Sequence, residues 1–330
     1  MIFPAPDIIH TNGINMAVYR AGPNPEDTDK PPVVLMHGFP EIAYSWRYQI
    51  QALAQAGYPV FAPDMRGYGL SDKPEGVQEY TMKKLCDDMA GLLSFYGMTK
   101  AAFIGHDWGA LVLWSLPFYQ PDILLGCAGL NVPFLPRNPK MDSIEKFEEV
   151  FGKDMYIVRF QEEGASEAIL EADVARTMRF FMRRPRTSKA SSGDKSFGGG
   201  SLDLLNMLQG DEKSWFGENW LSDEDMEIYT AAFSAGGFTA PIHYYRNMAK
   251  NWRDMDRFQP IGGTPEIKIP CLMITAEKDA ACPPALADGM QNYCPVYERV
   301  DLKDCGHWSQ QEQHENVNVS LIEWLVEHWG

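Results

Sequence analysis

The chain has 330 residues, 45% of them apolar and 22% charged, and a formal net charge of −16. That length accommodates one large α/β domain with an inserted subdomain, or two ordinary domains. The acidic balance argues against a general affinity for nucleic acid or anionic membranes, and no apolar run of about 18 residues reads as a membrane span.

In chain order, Ile14 to Arg20 reads as an early strand, followed by the loop Gly22-Pro23-Asn24-Pro25-Glu26-Asp27. Pro32-Val33-Val34-Leu35-Met36 is apolar on both faces, as a buried parallel strand is, and Pro59 to Pro63, Phe103-Ile104 and Leu124 to Leu130 repeat the pattern. Helical stretches, Ile50 to Ala56 and Leu85 to Tyr96, lie between them. This alternation predicts an α/β fold: a mostly parallel twisted sheet with helices on both faces. From Pro136 to Trp252 helical periodicity continues without good strands, and a Ser- and Gly-rich stretch near 187–201 reads as a flexible loop. Alternation resumes with Cys271 to Thr275, Tyr297 to Val300 and a final helix from Val317 to Glu327. The expected organisation is a sheet core from residues 1–135 and 253–330, interrupted by a helical cap over 136–252.

Met1 to Asp7 lacks the basic and apolar regions of a signal peptide. The six cysteines (86, 127, 271, 282, 294, 305) have no metal-ligand spacing, and Cys127 and Cys271 sit in apolar runs. A reduced, cytoplasmic protein without metal or cofactor is expected.

Gly105-His106-Asp107-Trp108-Gly109 falls between a short strand and the apolar helical run Ala110 to Trp114. Glycines on either side of a central nucleophile permit a strained turn that presents one side chain above the sheet. The central residue is Asp107, already an anion at neutral pH. It needs no deprotonation to attack an sp3 carbon and form an ester. The competing reading is an Asp that caps the next helix.

Releasing such an ester requires a base to activate water and an acid to orient the base. Asp279, in Glu277-Lys278-Asp279, lies just past the strand that begins at Cys271, and His307, in Asp304-Cys305-Gly306-His307-Trp308, follows the strand around Val300. Acid then His is the chain order this architecture demands. Asn131-Val132-Pro133, after the strand before the cap, offers no competing acid, and histidines 10, 37, 106, 243, 314 and 328 lack the placement of His307. His37-Gly38-Phe39-Pro40 follows the second apolar strand, where the backbone N–H of Phe39, with that of Trp108, would form an oxyanion hole. Phe39-Pro40 is a candidate cis bond. The loop Asp64 to Ser71 reads as structural.

With these motifs, His37 to Glu41, Gly105 to Gly109, Ala276 to Asp279 and Asp304 to Trp308, the chain resembles the soluble epoxide hydrolases of the α/β-hydrolase fold over nearly its whole length, as a stand-alone hydrolase domain. Tyr156-Ile157-Val158-Arg159-Phe160-Gln161 and Tyr244-Tyr245-Arg246-Asn247-Met248 look like that family's two tyrosine segments. The resemblance implies that Tyr156 and Tyr245 reach over Asp107, activate an epoxide oxygen and supply a proton, and that Phe39 and Trp108 join them in binding substrate. The implied reaction takes a small apolar epoxide and water to a vicinal diol through an ester on Asp107. A haloalkane dehalogenase and a non-catalytic ligand-binding module are the alternatives, and oligomeric state stays open.

Overall fold

A computed structural model describes residues 3–186, 202–259 and 265–330. The stretch near 187–201, read as a flexible loop, lies outside the described residues. The chain opens with β1 (Pro6–Thr11), β2 (Ile14–Ala21), β3 (Val33–Met36), α1 (Arg47–Gln55), β4 (Val60–Pro63), α2 (Met82–Phe95), β5 (Ala101–His106), α3 (Trp108–Tyr119) and β6 (Leu124–Leu130). It closes with β9 (Cys271–Ala276), β10 (Tyr297–Leu302), α12 (Ser309–Glu312) and α13 (His314–Trp329).

These strands form one sheet in the order β1-β2-β4-β3-β5-β6-β9-β10. β2 runs antiparallel to β1 and β4, whereas β4, β3, β5, β6, β9 and β10 run parallel. β3 and β5 are buried along their whole length, and successive residues face opposite layers. Val34, Met36 and Phe103 pack with Leu85 and Met89 of α2 and Val112 and Leu116 of α3. Val33, Leu35 and Ile104 pack on the other face with Ile50 and Leu53 of α1 and Val317 and Leu321 of α13. Because these central strands share one direction, the loops after β3, β5, β6, β9 and β10 emerge at the same sheet edge, where open α/β sheets place their ligands.

β1 was not expected. It is an edge strand with polar, exposed alternate positions, so its apolar period is weak. Asn12 and Gly13 make the turn, with φ of 46° and 76°, and Thr11 pairs Ile14. That is a two-residue hairpin requiring positive φ at both central residues, the conformation Asn-Gly favours.

Between β6 and β9 lie α4 (Ser143–Phe151), α5 (Tyr156–Arg159), α6 (Ala165–Glu171), α7 (Val174–Phe181), β7 (Arg183–Arg184), α8 (Leu204–Gln209), β8 (Glu218–Asn219), α9 (Asp223–Gly236), α10 (Thr239–Arg246) and α11 (Met248–Asp254). β7 and β8 form a two-residue antiparallel pair, too short to leave a periodic signal. Polar ties anchor this insert to the sheet layer. Tyr244 Oη donates to the Arg66 carbonyl at 2.7 Å, and Tyr229 Oη donates to Gln311 Oε1 at 2.9 Å.

Candidate active site

Asp107 sits between β5 and α3 with φ 51° and ψ −118°, a conformation disfavoured for a residue with a Cβ. Its neighbours make the turn possible. A Cβ on Gly109 would collide with the Met36 carbonyl oxygen, and one on Gly38 with the Asp107 side chain. The Asp107 side chain does not cap α3. Instead its Oδ1 accepts the Phe39 backbone N–H at 2.8 Å. Trp108 is the first residue of α3, and its indole packs edge-on against Tyr245, ring centroids 4.9 Å apart. The Phe39–Pro40 peptide is cis.

His307 Nε2 lies 3.7 Å from Asp107 Oδ2, and its Nδ1–H donates to Asp279 Oδ2 at 2.9 Å. The carboxylate partner fixes which ring nitrogen faces Asp107. Asp279 is buried, and its remaining acceptor sites are used. Oδ1 takes the backbone N–H of Ala281 and of Cys282, and Oδ2 takes Asn131 Nδ2–H at 2.8 Å. Burial pushes the Asp279 pKa up, but the charge of His307 and these hydrogen bonds outweigh it and hold it at about 2. Burial likewise pushes His307 down, while Asp279 first, then Asp107 and Glu41, lift it to about 9. The imidazole lies between the side chains of Asp279 and Asp107, a setting that favours its protonated form.

Tyr156, at the start of α5, and Tyr245, on α10, bring their rings to 5.9 Å at 75°. Burial raises both phenols well above their ordinary range; the Asp107 charge adds to this at both sites, so both keep their protons. The Phe39 ring meets Phe160, Phe181, Phe238 and Tyr245, so the wall on this side is aromatic.

Three supports escaped sequence reading. The first is a buried pair, His106 and Glu41. His106 Nδ1 faces Glu41 Oε2 at 2.7 Å, and its Nε2–H donates to the His307 carbonyl at 2.8 Å. Glu41 also accepts Gly38 N–H at 2.9 Å and Gln310 Nε2–H at 2.7 Å. Burial would raise Glu41, but the charge of His106 and these donors hold it at about 2. One carboxylate thus joins the loop after β3, the end of β5 and α12, which follows β10. The second is Asn131, set aside for lacking a carboxylate. Besides bonding Asp279, its Oδ1 accepts Ser309 Oγ–H at 2.6 Å. The third is Glu312, which bonds backbone on both sides of His307. The Glu41 signal was present in the motif His37 to Glu41; nothing local marks the other two.

The loop Asp64 to Ser71 is structural, as expected: Asp64 accepts the backbone N–H of Ala43 and of Leu70, both at 2.9 Å. Among the described residues no helix is long and apolar enough to cross a membrane.

Comparison with known proteins agrees with this architecture. Residues 31–313 match the family described as alpha/beta hydrolase fold. The chain is 39% identical over 298 residues to bifunctional epoxide hydrolase 2 of Sus scrofa, covering 89% of this chain and 51% of that protein. It thus spans about half the length of the mammalian relatives it matches. It is 37% identical to epoxide hydrolase A of Mycobacterium tuberculosis over 98% of each chain. Among solved structures, epoxide hydrolase A from Mycobacterium thermoresistibile superposes with a TM-score of 0.83 at 37% identity, covering 98% of both chains. Epoxide hydrolase VrEH1 from Vigna radiata gives 0.82 at 31% identity, covering 98% of this chain and 97% of its own. The chain belongs to the α/β-hydrolase fold family, in the branch of the epoxide hydrolases.

Proposed function

We propose that this protein hydrolyses apolar epoxides to vicinal diols, with residues 136–252 acting as a cap over the sheet edge. The observation that carries the reading is the pair of phenols, Tyr156 and Tyr245, whose rings meet at 5.9 Å and lie near enough to Asp107 for its charge to act on both. Epoxide opening leaves an alkoxide on the substrate, which calls for O–H donors and a proton. A departing halide needs neither, so the tyrosine pair favours an epoxide over a haloalkane.

In the first step an Asp107 carboxylate oxygen attacks an epoxide carbon, the ring C–O bond breaks, and a phenol proton passes to the ring oxygen. An alkyl ester and a hydroxyl result. In the second step His307 Nε2 takes a proton from water, and the hydroxide oxygen attacks the Asp107 carboxyl carbon. The N–H groups of Phe39 and Trp108 stabilise the oxyanion. Collapse breaks the bond between that carbon and the alkoxy oxygen, which takes the proton from His307 and leaves as the second hydroxyl of the diol; the carboxylic acid left on Asp107 gives up its proton, which makes good the one the phenol lost, so carboxylate and phenol are both restored. No metal or cofactor enters.

Charge balance times the two steps. His307 is protonated while Asp107 is an anion. Once Asp107 is a neutral ester, one of the charges lifting His307 is gone, and the imidazole is released to act as base. An apolar substrate fits the aromatic wall around Phe39 and a neighbouring cavity of about 220 Å³ bordered by Trp108, Leu111, Phe134 and Met248.

The test is mass spectrometry of His307→Gln incubated with an aryl epoxide and a haloalkane in equal amounts. A gain equal to the intact epoxide on the peptide holding Asp107 is expected. A gain equal to the haloalkane less hydrogen halide would assign a dehalogenase. No adduct from a folded protein would reject the carboxylate nucleophile.

A further inference from the structure

The base in this site is held by more than its side-chain partner. Glu312 ends the short helix α12 and folds back on the loop that carries His307. Its Oε2 accepts the backbone N–H of Gly306 at 2.8 Å, and its Oε1 accepts the backbone N–H of Trp308 at 3.0 Å. These are the two residues that flank His307. Gly306 is fitted to this arrangement, because a Cβ there would meet Glu312 Oε1 at 2.8 Å and collide with Pro185. The carbonyl of His307 itself is taken by His106. The backbone is therefore gripped at three consecutive residues, and only the imidazole remains to be oriented, by Asp279.

We propose that Glu312 is a positioning residue for ester hydrolysis, its two oxygens holding the amides on either side of His307 so that Nε2 stays aimed past Asp107 Oδ2 with room for the attacking water. The proposal rests on the two-step reading above. Its geometry fits that step alone. At 3.7 Å, Nε2 stands off from Asp107. A water between imidazole and ester carbon must meet both within hydrogen-bonding and attack distance, and displacements of about 1 Å cost about 100-fold. Attack by Asp107 on the epoxide makes no use of His307 orientation, since the carboxylate is held by β5, α3 and Phe39 N–H.

The two half-reactions separate kinetically. When alkylation is effectively irreversible, kcat/KM reports alkylation only, and slowing hydrolysis lowers kcat and KM together. Glu312→Ala removes both acceptors, whereas Glu312→Gln keeps one carbonyl oxygen. Single-turnover reactions with an aryl epoxide, acid-quenched and read by mass spectrometry for ester on the Asp107 peptide, measure each step. Expected is hydrolysis slower by about 10-fold or more in Glu312→Ala, with ester accumulating. Alkylation and kcat/KM should stay within about 3-fold of the parent, well inside that 10-fold loss, and Glu312→Gln should fall between. Equal losses in both steps without ester would overturn the proposal, marking Glu312 as general scaffolding. So would unchanged hydrolysis in either variant. If Glu312→Ala does not fold, Glu312→Gln decides by the same criteria. His307→Gln run in parallel tests the reading beneath: no ester there rejects the two-step scheme itself, whereas ester there with unchanged hydrolysis in the Glu312 variants rejects only the role of Glu312.

Discussion

Replacing Asp107 by Asn should lower the pKa of His307 measurably, because the amide is a near-isosteric, neutral stand-in for the ester. The charge removed lies 3.7 Å from Nε2. At an effective dielectric constant of about 20, two unit charges at that separation interact by about 4.5 kcal/mol, equivalent to about three pH units. That is an upper figure, since Asp279 remains as the principal partner and water screens the cleft. A fall of between about one and three pH units from about 9 is therefore expected. The assay is an NMR titration of the His307 ring Cε1 resonance in Asp107→Asn and in the parent, assigned by comparison with His307→Gln, with mass spectrometry confirming that the amide survives. A ring that still titrates at about 9 in Asp107→Asn would show that Asp279 alone sets the imidazolium, and the charge-timed release of the base would be refuted. The sign has a kinetic counterpart. Ester hydrolysis needs neutral His307, so its rate should rise with pH through the lowered pKa of the esterified enzyme and then level.

Further expectations concern residues around this pair. Tyr156→Phe and Tyr245→Phe should each slow single-turnover alkylation by about 100-fold, and the double variant should slow it well beyond either, with ester hydrolysis little changed. Glu41→Gln removes the charge that faces buried His106 and should cost about 3–5 kcal/mol in urea unfolding, read from the transition midpoint at unchanged slope. Gly109→Ala, whose new Cβ meets the Met36 carbonyl, should destabilise by at least about 1–3 kcal/mol in the same assay and also lower kcat/KM by shifting the Asp107 turn. Asp279 and Glu41, both held at about 2, contribute stability that is present above the ordinary carboxylate range and lost as pH falls through about 2. In Glu41→Gln the acid limb of an unfolding-versus-pH curve should accordingly be shallower.

What could be read from the sequence and what could not divides along a physical line. The Asp107 turn was legible because its glycines answer a local steric demand: Asp107 itself takes positive φ, and at Gly105 and Gly109 backbone passes where a Cβ would collide. The central strands were legible because burial on both faces removes polar alternation, which is also why the half-exposed β1 was missed despite its Asn12-Gly13 turn. The pairing of Asp279 with His307 was legible because each lies just past a strand that ends at the same sheet edge. The supports had no such handle. Glu41 meets His106 across 65 residues and Gln310 across 269, and only the closed sheet edge brings them together.

The carboxylates make the same point from the side of energetics. Asp279 and Glu41 are both deeply buried, and each is surrounded by donors that include a histidine, so both stay ionised at about 2. Among the described residues Glu312 accepts two backbone N–H groups, and burial, opposed by those bonds and by the charge of His307, lifts it to about 7. Residue type and spacing single out a carboxylate as a candidate. What a carboxylate can do depends on the donors that folding delivers to it, and those come from the ends of β3, β5, β6, β9 and β10 and the segments after them, which are neighbours only once the parallel strands have aligned.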